Sequence, residues 1–234
     1  MSGAQQPVGE PVDARPAQRP QRTALCGRYV DVVPAAAAAH AADLYAAATG
    51  PGTDTIWTYL SVGPWTDRAS LEAWLAQAER SQDPFTYALV DQASGKALGI
   101  ATYMRIEPGH RVIEVGGIWF TPGLQRTRAA TEAMYLMAKN AFEVLGYRRY
   151  EWKCNAFNEP SRRAALRLGF TYEGLFRQHM IARGRNRDTA WFSMLDGEWP
   201  ARRAAFERWL APENFDAAGR QRTRLAAGEP GSPG

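Results

Sequence analysis

Apolar positions recur at two spacings along this chain, and the change from one to the other marks its elements. Phe85 to Val90, Ala97 to Ile106 and Arg111 to Phe120 are rich in aromatic and β-branched residues. The polar turns Asp91 to Lys96 (DQASGK) and Glu107 to His110 (EPGH) separate them. That pattern predicts three consecutive strands in an antiparallel meander. After Pro122-Gly123 the spacing becomes helical. A helix starting near Gln125 puts Ala130, Ala133, Met134, Met137, Ala141, Phe142 and Leu145 on one face, and Gly146 ends it.

Upstream, Gly27 to Val33 is a short strand closed by Pro34, and Ala35 to Ala48 an alanine-rich helix ended by Thr49-Gly50-Pro51-Gly52. A second helical stretch carries Trp57, Tyr59 and Leu60 as far as the turn at Val62 to Trp65. Asp67 or Ser70 then caps a helix with Leu71, Trp74, Leu75 and Ala78 at helical spacing. Downstream, Tyr150 to Cys154 is a strand with Tyr150, Trp152 and Cys154 on one face and Glu151 and Lys153 on the other. Asn158-Glu159-Pro160 opens a helix through Leu168, ended by Gly169. Strands at about Thr171 to Ala182 and Thr189 to Leu195 flank the polar turn Arg183 to Arg187. The expected fold is a single mixed α/β domain whose sheet is covered on both faces.

Composition sets the limits. The 234 residues are 45% hydrophobic, enough for one sizeable core. Residues 1–22 and 211–234 are rich in Pro, Gly, Ala, Gln and Arg without apolar periodicity, and are expected as disordered tails flanking a domain at 23–210. The net charge of +4 is a mild excess, too small to indicate a nucleic-acid surface without a clustered basic face. No apolar run approaches the roughly 20 residues that span a bilayer, and the N-terminus has no apolar core of a signal peptide. Cys26 and Cys154 fit neither a disulfide framework nor a zinc site, so a cytoplasmic location is expected. His40, His110 and His179 lack metal-site spacing, and no metal is expected.

The chemistry concentrates in Glu114 to Glu132 (EVGGIWFTPGLQRTRAATE), where a glycine-bearing strand turns into a helix. The start of such a helix carries roughly half a positive charge and unpaired N–H groups, which suits a phosphate. Neither a G-x-G-x-x-G nor a G-x-x-x-x-G-K-S/T loop is present. Glu114 is either a general base or an edge carboxylate paired with an arginine. Trp57, Tyr59 and Trp65 either wall a substrate channel or belong to the core. Cys154, on the apolar face of a strand, is read as packing.

The element order, the Glu114-to-Thr131 stretch and the Cys154-to-Gly174 stretch (CNAFNEPSRRAALRLGFTYEG) together resemble the GNAT N-acetyltransferase superfamily over about Thr23 to Leu210. The second stretch resembles the RimJ/RimL-like branch, which includes ribosomal-protein N-terminal acetyltransferases. The resemblance implies a GNAT-like, mostly antiparallel sheet with helices on both faces. It also implies acetyl-CoA as co-substrate, an amine acceptor and a monomer or homodimer. The cofactor would lie along Ile118, Trp119 and Phe120 and on the loop Gln125, Arg126, Thr127, Arg128, Ala129, Ala130 and Thr131. In that loop Arg128 stands where the family has glycine. Asn158 would bond the pantetheine arm, and Ser161 would sit near the sulfur and protonate the leaving thiolate, with Tyr172 a weaker alternative. Glu114 is the best base candidate, with His179 another. Trp57, Tyr59, Trp65 and His179 would face the acceptor. A non-catalytic acyl-CoA sensor of the same fold is the alternative.

Overall fold

The meander forms as its turns require. The computed structural model describes residues 6–225 and Ala227, and in it β3 (Phe85–Asp91), β4 (Ala97–Glu107) and β5 (Val112–Phe120) pair antiparallel in chain order. On one side β2 (Val30–Pro34) and the short β1 (Leu25–Cys26) extend the sheet. On the other lie β6 (Arg149–Asn155), β8 (Arg185–Leu195) and β7 (Thr171–Ala182). The described residues thus form one eight-stranded sheet in the order β1-β2-β3-β4-β5-β6-β8-β7. Its one parallel pair, β5 with β6, needs a crossover, and α3 (Arg128–Lys139) supplies it.

The parallel pair is brief. Val112, Ile113 and Glu114 face Arg149, Tyr150 and Glu151, and beyond them the strands part. A bulge in β5 accompanies the parting. Thr102 of β4 faces Gly116 while Ile100 faces Trp119, so Gly117 and Ile118 share the place opposite Ala101. Gly117 has φ 56, a left-handed conformation that glycine takes without a Cβ penalty.

Helices cover both faces. α1 (Ala37–Ala48) and α2 (Arg68–Arg80) bury Leu44, Leu71 and Leu75 with Trp57 against Ala88, Ile100 and Trp119. Asp67 caps α2 by accepting the Ser70 N–H at 2.7 Å. On the opposite face α3 buries Ala133, Met137 and Ala138, with α4 (Glu159–Arg167) and α5 (Trp199–Leu210) beside it. No described helix is long and apolar enough to cross a membrane.

Several expectations need correction. The second helical stretch contracts to a 3-10 turn at Asp54–Trp57, with Tyr59 and Leu60 in the following loop. Leu60 keeps helical spacing from Trp57, but Tyr59, two residues on, does not share that face. Helix α5, with Pro200 in its first turn, had no counterpart in the sequence reading. The segments expected as tails are mostly exposed but are anchored to the domain at a few described residues. The Ala17 and Gln18 N–H groups donate to Pro108 and Leu145. Arg22 donates to the carbonyls of Glu79 and Ala35, both at 2.8 Å. Asn214, Phe215 and Leu225 are buried. Isolated anchors of this kind carry no periodicity for a sequence to display. Residues 1–5, Ala226 and 228–234 lie outside the described residues.

Candidate active site

The phosphate-type loop is tighter than the sequence implied. Helix α3 begins at Arg128, three residues after Gln125, because Arg126 adopts φ 61 and breaks the helical path. Thr127 is the N-cap. Its Oγ1 accepts the Ala130 N–H at 3.1 Å and donates to the Leu124 carbonyl at 2.7 Å. The Gln125 side-chain amide donates to the Phe120 carbonyl at 2.9 Å, closing the loop on itself. The buried Thr131 donates to the Thr127 carbonyl and accepts from Arg167 at 3.2 Å. These side chains are therefore occupied within the protein. The Arg128 and Ala129 N–H groups have no partner among the described residues, so the loop can offer backbone donors to an anion.

The Arg128 side chain turns aside. Its guanidinium carbon lies 4.6 Å from the Tyr29 ring centre and 4.7 Å from that of Phe215. One turn further on is Glu132, which the sequence reading passed over. Its carboxylate accepts the backbone N–H groups of Arg28 (3.0 Å), Tyr29 (2.5 Å) and Val30 (3.1 Å). A Cβ at Gly27 would come within 2.7 Å of Glu132 Oε2, so glycine permits that approach.

Asn158 and Ser161 open α4 on the α3 side of the sheet. Asn158 Oδ1 accepts the Ser161 N–H at 3.2 Å, which makes Asn158 the N-cap. Ser161 Oγ accepts the Trp152 indole N–H at 3.0 Å, and its own O–H is the donor beside the Cys154 sulfur. Cys154 is buried beside them, and burial pushes its thiol up despite the Ser161 hydrogen bond, as a packed and unreactive cysteine requires. Tyr172, half exposed, packs edge-on to Phe192 at 5.3 Å.

Glu114 lies on the other face, at the last paired position before β5 and β6 part. It is 3% exposed. Lys153 Nζ stands 2.8 Å and Arg105 Nε 3.5 Å from its Oε2, and Glu151 is within reach of the same Arg105 at 3.8 Å. The Lys153 ammonium is thus the nearest cation to the buried Oε2. Burial raises the Glu114 carboxyl above its ordinary value. The cations of Lys153 and Arg105 oppose the shift without cancelling it, and Glu151 adds to it. A Cβ at Gly116 would stand 3.1 Å from Glu114 Oε1. Glu114 is thus an ion-paired carboxylate that sits at the gap.

Arg105 is a residue the sequence reading missed. It occupies an irregularity in β4 with φ 50, and the Asp83 carboxylate accepts its N–H and that of Ile106, each at 3.0 Å. Strain of this kind costs about 1 kcal/mol or more, and here it aims the guanidinium at Glu114 and the Trp191 ring, 5.3 Å away. Lys153 lies over the same ring at 4.8 Å.

The four acceptor-side residues do not share one pocket. Trp57 is buried against Trp119 at 5.4 Å, and Trp65 packs on Trp74 at 5.4 Å. Both border a cavity of about 470 Å³ together with Asp54, Thr58, Pro64 and Arg183. The Tyr59 hydroxyl instead donates to the Phe157 carbonyl at 3.1 Å, tying this loop to the one before α4. His179 lies elsewhere on the open face, 6.0 Å from Trp191, with Nδ1 2.9 Å from Thr189 Oγ1. Its pKa is lowered by desolvation and then by Lys153, Arg187 and Arg105. The Trp119 side chain is core, which leaves Ile118, Trp119 and Phe120 to contribute through the open backbone edge of β5. No cluster of metal ligands occurs among the described residues.

The acetyltransferase (GNAT) domain family matches residues 32–171, more than half of the chain, and the protein belongs to that family. A GCN5-related N-acetyltransferase from Brucella melitensis is 50% identical, with a TM-score of 0.88, covering 90% of this chain and 96% of its own. The ribosomal-protein-serine acetyltransferase of Escherichia coli (strain K12) is 30% identical over 81 residues, 35% of this chain and 45% of that one. YdaF of Bacillus subtilis (strain 168) is 28% identical over 105 residues, 45% of this chain and 57% of that one. The chain thus spans about half the length of the curated relatives it matches.

Proposed function

We propose that the protein is an acetyl-CoA-dependent N-acetyltransferase that acts on a primary amine, either a protein N-terminus or a small-molecule amine, by direct attack. The observation that carries this reading is the gap itself. β5 and β6 separate just past the buried Glu114, with the free N–H groups of α3 behind and the Asn158–Ser161 turn on the opposite face.

In this reading the backbone N–H groups of Arg128 and Ala129 receive the pyrophosphate, and Asn158 bonds the pantetheine arm. Acetyl-CoA supplies the acetyl thioester. The open edge of β5 near Trp119 offers a backbone donor to the carbonyl oxygen as it gains charge. Glu114 accepts the proton of the attacking amine, directly or through a water. The new C–N bond forms as the C–S bond breaks, and Ser161 gives its proton to the departing sulfur and regains one from solvent. No covalent enzyme intermediate is required, and the buried, raised thiol of Cys154 suits none.

Arg128, turned toward Tyr29 and Phe215, leaves the loop open. That permits cofactor binding, which the enzyme and a non-catalytic acyl-CoA sensor share; the buried carboxylate of Glu114 at the gap is what favours the enzyme. Calorimetry with acetyl-CoA and a thiol-release assay over a panel of amines test the proposal. Binding with amine-dependent release is expected. No binding overturns the cofactor assignment, and binding without release for any amine leaves the sensor.

A further inference from the structure

The arginine at the family's glycine position is held by a part of the chain that the family match does not reach. That match ends at residue 171, whereas Phe215 lies in the segment after α5. Arg128 contacts the Phe215 and Tyr29 rings at distances suited to cation–π attraction. No carboxylate among the described residues pairs with it. Both rings are themselves fixed. The Tyr29 amide donates to Glu132 and its hydroxyl to the Leu210 carbonyl at 3.2 Å. Phe215 is buried edge-on against Trp209, with ring centres 5.1 Å apart. The segment is pinned in turn. Asn214 Nδ2 donates to the Trp209 carbonyl at 2.9 Å, Asn214 Oδ1 accepts the Thr223 hydroxyl at 2.6 Å, and Trp209 Nε1 donates to Gln221 at 2.8 Å.

We propose that residues 212–225 form a clasp for the cofactor loop. Phe215 and Tyr29 act as positioning residues that park the Arg128 side chain beside the start of α3, clear of the anion received by the backbone N–H groups. This rests on the acetyl-CoA reading above. Close approach of phosphate to a helix start favours glycine because no side chain intervenes. An arginine there allows the same approach only if its side chain is held elsewhere. A carboxylate could hold it, but would cancel positive potential where the anion needs it. Aromatic faces hold the cation and leave its charge in place.

Calorimetry with coenzyme A on the full chain decides the matter, with melting temperatures measured in parallel. Phe215→Ala should weaken binding about tenfold in the native chain, the scale of a lost cation–π contact, and should leave affinity unchanged in an Arg128→Gly background. The double variant should return to the affinity of Arg128→Gly, because no side chain remains to be parked. An unchanged affinity in Phe215→Ala overturns the clasp. So does a double variant about tenfold weaker than Arg128→Gly, since the loss would then be structural. If Phe215→Ala does not fold, Phe215→Leu keeps apolar bulk without the ring and should show the same pattern. Failure of the native chain to bind coenzyme A would remove the acetyl-CoA reading and the clasp together. Native binding with an unaltered Phe215→Ala removes the clasp alone.

Discussion

At the residue scale the decisive balance is at Glu114. Burial favours its protonated form, and two nearby cations favour the carboxylate. Burial wins, so the folded protein holds this proton more tightly than the unfolded chain does. Two outcomes follow for a base. The acid limb of kcat/KM should lie above the ordinary carboxyl value of 4.5. Glu114→Gln should abolish that limb and lower kcat about a hundredfold, while calorimetry shows acetyl-CoA affinity nearly unchanged. Retention of the limb in the variant would remove Glu114 as the base. Lys153→Met tests the balance from the other side. It deletes a cation that lowers the Glu114 pKa, so the acid limb should move to higher pH; a shift to lower pH would contradict the assignment. Glu114 was legible in the sequence because a lone carboxylate on a glycine-bearing strand is conspicuous. Lys153 and Arg105 were not. Lys153 lay on the expected polar face, where solvation is the ordinary fate. Arg105 reaches the site only through a left-handed backbone supported by Asp83 from a distant turn.

At the element scale, periodicity carried most of the fold. The meander, α3 and the helix opening at Asn158 appear close to where their patterns placed them, because each buries one continuous face. The start of α3 moved from Gln125 to Arg128 because capping by Thr127, not apolar spacing, sets a helix start. The β5 bulge was equally hidden, since two adjacent glycines do not say which of them turns left-handed. Glu132 shows what such local patterns omit. It lies on the buried side of α3 and joins that helix to the turn before β2 through three backbone donors. Hydrogen bonds to a charged group contribute about 1.5 to 3 kcal/mol each, and their loss is only partly recovered by water. Glu132→Ala should therefore destabilise the domain by about 3 kcal/mol, read from the urea midpoint at constant slope. A loss below about 1 kcal/mol would mean that the turn finds other acceptors.

At the scale of the whole molecule, the two ends of the chain bear on the same domain that their composition seemed to exclude them from. Arg22 links the end of α2 to the start of α1, and the segment after α5 returns to the beginning of α3. The sheet alone cannot do this, because the loop that starts α3 is anchored mainly to itself and to β5. Asn214 is the point on which the returning segment depends. It is buried, and its amide bonds the Trp209 carbonyl and both the backbone and side chain of Thr223. Replacing it strands those groups, and a buried polar group left without a partner costs about 1 to 3 kcal/mol. Asn214→Ala should lower stability by about 2 kcal/mol. It should also let trypsin cut at Arg220 and Arg222 under native conditions, faster than in the parent chain. If cutting there is equally fast in both proteins, the segment is not held by Asn214. Faster cutting with an unchanged urea midpoint would place 212–225 as a unit that opens on its own, below the free energy of global unfolding.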